Sequence, residues 1–168
     1  MNPPINHRRG TNSLGSAQSG DFENYPTFHH VGYVVKSIGD IATSFAQSLN
    51  LFWDGEIFYD PLQGVRVAFF QPTRPQNPTI ELVEPVGKES PVYRFLQRGG
   101  GFHHLCYEVN SLEAQLRSVR SNGDLVVRKP LPATAFGGRQ ITWVYTKNKV
   151  LIEYLERILT ERSALRQS

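Results

Sequence analysis

The sequence predicts an α+β fold: two tandem βαβββ modules forming a curled mixed sheet around a shared cup. Three observations predict it. First, the eleven residues Phe28-His29-His30-Val31-Gly32-Tyr33-Val34-Val35-Lys36-Ser37-Ile38 recur 74 positions later as Phe102-His103-His104-Leu105-Cys106-Tyr107-Glu108-Val109-Asn110-Ser111-Leu112, six of them identical. Second, the downstream residues recur in the same order: Gly64 matches Gly138, and, two residues lost from a loop later, Ile80-Glu81-Leu82-Val83-Glu84 matches Ile152-Glu153-Tyr154-Leu155-Glu156. Third, each half of about 70 residues combines strand-like runs with one amphipathic helical stretch, so each reads as one structural repeat.

The elements come in order along the chain. Residues 1–25 contain Pro3, Pro4, Gly10, Gly15, Gly20 and several serines but few large apolar residues. Such a stretch cannot offset its ordering entropy, so it reads as a disordered leader. It has no apolar core of a secretory signal; Arg8 and Arg9 among serines leave an organelle-targeting peptide open, with Asp21 and Glu23 against it. The domain is expected over 26–158, with module one at 26–86, a linker helix at 89–99, module two at 101–158 and a tail at 159–168.

In module one, Phe28 to Val35 is rich in aromatic and β-branched residues and reads as a strand. Ile38, Ile41, Phe45 and Leu49 mark one helix face, with Ser37 as its N-cap. Strands come next at Leu51 to Phe58, Val65 to Phe70 and Thr79 to Val83, separated by Asp60-Pro61, Gly64 and the loop from Pro72 to Pro78. Ser90 to Arg98, with Pro91 in its first turn, forms the linker helix, which Gly99, Gly100 and Gly101 end. In module two, Leu112, Leu116 and Val119 make the helix face and Asn122-Gly123 closes it. Its strands lie near Leu125 to Val127, Gln140 to Tyr145 and Val150 to Leu155.

Composition excludes several function classes. A net charge of +3 on 168 residues comes from scattered basic residues, with no stripe for nucleic acid and no polybasic membrane patch. No run approaches the roughly 20 apolar residues of a membrane span. A single cysteine, Cys106, precludes an intramolecular disulfide and fits a reducing, cytoplasmic setting.

The repeat also duplicates chemistry. His30 and His104 lie on the first strands, Glu81 and Glu153 on the last. If first and last strands pair within each half, one His and one Glu per half point into the same cup. Two imidazoles and two carboxylates suit a divalent transition metal, and such a cation relieves the burial of two carboxylates. A duplication serving packing alone has no reason to keep His and Glu together. His29 and His103 are expected to face outward or cover the rim. Glu84 and Glu156, three residues past the glutamates, should point away from the cup and read as solvated strand ends. Cys106 shares a strand face with His104, so it lies near the metal or serves as a small buried filler.

From about Phe28 to Arg157 the chain resembles the vicinal oxygen chelate (glyoxalase/bleomycin resistance/dioxygenase) superfamily, and within it the methylmalonyl-CoA epimerases. The resemblance is carried by the stretch from His30 to Val35, by Gln63-Gly64-Val65-Arg66-Val67-Ala68-Phe69, by Ile80 to Pro85 with Ser90-Pro91 after it, by Phe102 to Val109, and by Val150 to Glu153. It implies metal ligands at His30, Glu81, His104 and Glu153, an ion such as cobalt, zinc, nickel or manganese, and a homodimer. It also implies an epimerase or isomerase acting on the acidic carbon beside an acyl-CoA-type thioester carbonyl, with Glu153 as a catalytic acid or base. Two features depart from the pattern. Val67 stands where some epimerases carry a second catalytic glutamate, and Tyr145-Thr146-Lys147-Asn148-Lys149 replaces the family's His-Pro-Lys turn and Gly-Gly pair. A glyoxalase-like lyase or isomerase is the sibling reading. An extradiol dioxygenase would use two His and one Glu, which the fourth donor Glu81 opposes. A metal-free small-molecule binding protein of the resistance type is the alternative of another class.

Overall fold

The computed structural model describes residues 25–158, so all of the expected leader but Tyr25, and the whole tail, lie outside the described residues. The chain runs β1 (Thr27–Val34), α1 (Ile38–Leu49), β2 (Leu51–Phe52), β3 (Phe58–Asp60), β4 (Val65–Pro72), β5 (Thr79–Pro85), α2 (Tyr93–Gln97), β6 (Gly101–Val109), α3 (Leu112–Ser121), β7 (Leu125–Pro132), a 3-10 turn (Thr134–Phe136), β8 (Gln140–Tyr145) and β9 (Leu151–Glu156). The strands form one open mixed sheet in the order β2-β4-β5-β1-β6-β9-β8-β7, with β3 also paired to β4. β1 runs parallel to β5, and β6 parallel to β9. An antiparallel β1–β6 joint unites the two halves. Among the described residues no helix is long and apolar enough to cross a membrane.

Alternation along the strands separates two faces. On one face α1 packs Ile38 and Ala42 against Ala68, Phe70 and Leu82, and α3 packs Leu112, Leu116 and Val119 against Val109, Val144 and Tyr154. Fully burying a side chain such as Phe70 or Leu82 contributes about 1.5–3 kcal/mol. The intervening residues Val65, Val67 and Val83 face the other way and line the cup.

Both helices start as the repeat demands. Ser37 Oγ accepts from Asp40 N and Ser111 Oγ from Ala114 N, each at 3.3 Å. Glu84 and Glu156 do point away from the cup, but they are not solvated strand ends. Glu84 Oε2 accepts from Ile38 N at 2.8 Å, and Glu156 Oε1 from Leu112 N at 3.2 Å. The duplicated carboxylate therefore caps the helix of its own half, where free N–H groups and the helix dipole favour negative charge.

Three boundaries differ from expectation. The single strand expected at Leu51 to Phe58 is two short pieces, β2 and β3, on the same edge of β4. Between them Glu56 N donates to Asp54 Oδ1 and Trp53 Nε1 to Glu56 O, with Gly55 at φ +90°, so local turn bonds replace the ladder. The linker helix starts at Tyr93 rather than Ser90, because Tyr93 N closes a tight turn on Ser90 O. β7 runs through Pro130 to Pro132, well past Val127. It is an edge strand, so a missing proline N–H leaves no gap in the ladder.

Candidate metal centre

Strand register gathers the four expected side chains. Gly32 on β1 lies between Glu81 on β5 and His104 on β6. One step along, Cys106 on β6 lies between His30 on β1 and Glu153 on β9. Two rows across the sheet thus each carry one His and one Glu, spanning a small residue. Each row draws on both halves, so neither half alone assembles the group.

His30 Nε2 stands 3.4 Å from both Glu81 Oε2 and Glu153 Oε2. His104 Nε2 stands 3.3 Å from Glu81 Oε2 and 3.7 Å from Glu153 Oε2, and the two Nε2 atoms are 3.2 Å apart. All four residues are buried, none more than 5% exposed. His104 leans across Gly32 so closely that a Cβ there would lie 2.0 Å from its Cε1.

Electrostatics couple the group. Burial lowers the His30 pKa, but the Glu81 and Glu153 carboxylates outweigh it and the net shift is upward. Burial would raise Glu81, yet the His30 and His104 imidazoles hold it well below the usual carboxylate range. Glu153 moves up, through burial and the charge of Glu81, which the two imidazoles only partly offset. The Cys106 thiol is pushed up by burial and then by Glu153, and packs with Ala133, Ile141 and Leu155. Both expectations for Cys106 therefore hold: it is buried filler and it adjoins the site.

A divalent cation fits these donors. Ligand atoms about 2.1 Å from a metal are separated by about 3.0 Å at right angles and 3.4 Å in a tetrahedron, close to the spacings between the imidazole and carboxylate atoms. Among the described residues Glu153 Oε2 is buried with no hydrogen-bond partner, an orphaned acceptor whose chemistry suits a cation. His30, Glu81 and His104 each bring a ligand atom within 4.8 Å of the others and could hold one ion, with Glu153 Oε2 beside them, 3.4 Å from His30 Nε2 and 3.7 Å from His104 Nε2, as a fourth donor.

Of the two placements expected for His29 and His103, facing outward or covering the rim, the first does not hold: both are half-buried beside the site and His103 lines the cavity. His29 Nδ1 lies 2.7 Å from His30 Nδ1, and His103 Nδ1 lies 3.0 Å from His104 Nδ1. Burial, then the charge of the neighbouring imidazole, lowers each outer histidine to about 4, so each is neutral near pH 7. A neutral imidazole can accept the Nδ1–H of its neighbour, which leaves the Nε2 lone pair of His30 and His104 free for a cation. The doubled His-His pair was the available signal, since both pairs are repeated. Phe136, on the 3-10 turn that sequence reading missed, stacks over His30 at 5.9 Å, and Trp143 meets His104 edge-on at 4.8 Å.

Glu81, His104 and Glu153 open on a cavity of about 270 Å³ lined by both halves. Its β4–β5 wall is Val65, Val67 and Val83, and Asp60, Gln63, His103 and Arg128 add polar groups to the lining.

A model of the Glyoxalase/Bleomycin resistance protein/Dioxygenase superfamily matches residues 29–143. The chain belongs to that superfamily. Within it, the chain is 32% identical over 131 residues to the uncharacterized protein YqjC of Bacillus subtilis, covering 76% of this chain and 89% of that one. It is 31% identical over 134 residues to the ethylmalonyl-CoA/methylmalonyl-CoA epimerase of Cereibacter sphaeroides, covering 76% and 97%. The crystal structure of methylmalonyl-CoA epimerase from Mycobacterium tuberculosis superposes with a TM-score of 0.68 at 25% identity, covering 84% of this chain and 92% of that one. The Mycobacterium tuberculosis structure shares the fold expected from the repeat.

Proposed function

We propose that the chain is a metal-dependent epimerase or isomerase acting on the acidic carbon beside an acyl-CoA-type thioester carbonyl. The gathering of His30, Glu81, His104 and Glu153 into one buried group, three of whose members (Glu81, His104 and Glu153) line a cavity, carries the reading. The superfamily relatives that are epimerases of malonyl-type thioesters support it. The four residues are the proposed ligands of one cobalt, zinc, nickel or manganese ion. Such an ion, when bound, polarises a carbonyl oxygen and stabilises negative charge developing on it.

The chain's own residues supply the rest. Glu153 is the proposed base, doubling as a ligand, since it borders the cavity beside the other donors and Val67 on the facing wall cannot take a proton. His29 and His103 hold the ligand rings in one tautomer, and Phe136 and Trp143 shield them from water. The valine wall excludes water from the proton-transfer region. A homodimer and a cytoplasmic setting belong to the same proposal.

Val67 favours a second reading. Inverting a stereocentre needs a proton donor on each face of the carbon, and Val67 on the β4 wall cannot exchange one. A glyoxalase-like isomerase or lyase needs only one base. Metal content by mass spectrometry comes first, followed by α-proton exchange in deuterated water with methylmalonyl-CoA and with a glutathione hemithioacetal. One ion per chain with exchange into the thioester supports the first reading, and turnover of the hemithioacetal alone supports the second. A protein that takes up no metal after reconstitution refutes both and points to a binding protein.

A further inference from the structure

The turn between β3 and β4 carries a buried donor that nothing among the described residues engages. Asp60 accepts from Gln63 N at 2.9 Å and from Thr134 N at 2.8 Å, tying this turn to the 3-10 turn of the other half. The Gln63 side chain is thereby held against the cavity and is only 8% exposed. Its Oε1 accepts from Arg128 Nη1 at 3.2 Å, while Arg128 Nη2 donates to Leu62 O at 2.7 Å. Arginine has no acceptor, so this contact fixes which end of the amide faces it. Gln63 Nε2 is left buried without a partner, and so is Ser90 Oγ, whose backbone packs beside Gly64. Buried donors of this kind are nearly always satisfied, by protein, water or ligand. Gln63 and Arg128 line the same cavity as Glu81, His104 and Glu153. An amide NH₂ and a guanidinium offer only donors and one positive charge, so their complement is an anionic oxygen.

We propose that Gln63 and Arg128 form an anion subsite that holds a carboxylate or phosphate oxygen of the substrate, apart from the oxygens held at the His30, Glu81, His104 and Glu153 centre. The proposal deepens the thioester reading above and rests on it. Two sources share this chemistry: a carboxylate on the acyl group and the phosphates of the coenzyme A carrier.

The test is calorimetric binding of methylmalonyl-CoA, propionyl-CoA and the phosphate-free pantetheine thioester of each to metal-loaded full-length protein. Wild type is compared with Gln63→Glu, Gln63→Met and Arg128→Gln, with metal content and melting temperature measured for each. Loss of one charge-assisted bond should weaken binding roughly 10- to 100-fold, most strongly for Gln63→Glu, with metal content unchanged. Weakening confined to methylmalonyl thioesters, with either carrier, supports the subsite and assigns the anion to the acyl carboxylate. Weakening shared by both acyl groups but absent with pantetheine supports it and assigns the anion to the carrier phosphate. Wild-type affinity for all four probes in all three variants, with metal retained, overturns the subsite. Should wild type bind none of the four, the thioester reading itself fails. The shift in melting temperature with malonate and with inorganic phosphate then decides the subsite alone: a shift lost in Arg128→Gln upholds it, and an unaltered or absent one overturns it.

Discussion

Replacing Gly32 by alanine should dismantle the proposed metal centre without unfolding the domain. The added Cβ would lie 2.0, 2.4 and 2.6 Å from Cε1, Nδ1 and Nε2 of His104. Ordinary contact requires about 3.4 Å or more, so the ring must retreat by about 1.4 Å. Metal–ligand distances tolerate only about 0.2 Å. Affinity should therefore fall at least about 100-fold, the upper end for losing an outer-shell partner and equivalent to about 2.7 kcal/mol. Gly32 is not among the glycines with positive φ, so alanine meets no backbone strain and the effect isolates the ring. Cys106→Ala is the matched control at the equivalent row position and should keep its metal. Competition titration with a chromophoric chelator measures the affinity, and circular dichroism of the metal-free protein checks the fold. Wild-type affinity in Gly32→Ala would refute the reasoning, because it would mean that His104 can move freely and still bind.

Other expectations rest on the same geometry. His104→Ala should lose both metal and turnover while its circular dichroism stays native, and turnover persisting in the demetallated variant would sink the metal reading. His29→Phe and His103→Phe should each weaken metal binding about 10- to 100-fold by releasing the ligand ring, read out by the same chelator titration. Glu84→Gln and Glu156→Gln should each lower stability by about 1 kcal/mol in urea melts, and additively, because the caps lie in different halves. Below pH 6.5 the unfolded chain protonates His29 and His103, whereas the folded chain resists until about pH 4. Metal-free stability from these two groups should therefore fall as pH drops from 6.5 towards 4, by up to about 1.4 kcal/mol per unit for each. The raised His30 pKa acts in the opposite sense, so the measurement is the difference between wild type and the His29→Gln/His103→Gln double variant, whose slope should be shallower.

The repeat made the two-module layout legible, and strand alternation brought His30, Glu81, His104 and Glu153 together once first and last strands were supposed to pair; the strand order and the parallel sense of that pairing came only with the structure. The helix cap at Ser37 was legible locally, and the structure adds its repeat counterpart Ser111. The rest depended on contacts between distant segments. Glu84 and Glu156 cap helices only because β5 and β9 end beside the helix starts, a fact of three dimensions rather than of pattern. The inward turn of His29 and His103 depends on aromatic neighbours such as Phe95, Phe136 and Trp143 that close over them. The break between β2 and β3 came from a three-residue turn at Asp54 to Glu56 whose side-chain bonds outcompeted a strand-like pattern. The role of Gly32 was not legible, since one glycine in a strand gives no sign of the ring that crosses it.

The two rims of the sheet bear on self-association. At one rim β2 and β3 have two and three residues, separated by a turn. At the other, β7 carries Lys129, Pro130 and Pro132 and shifts register twice against β8. Among the described residues, neither rim presents a long flat row of vacant backbone groups, so neither is a ready template for a strand from another molecule. Edge-to-edge growth into fibres through these two rims is thereby disfavoured.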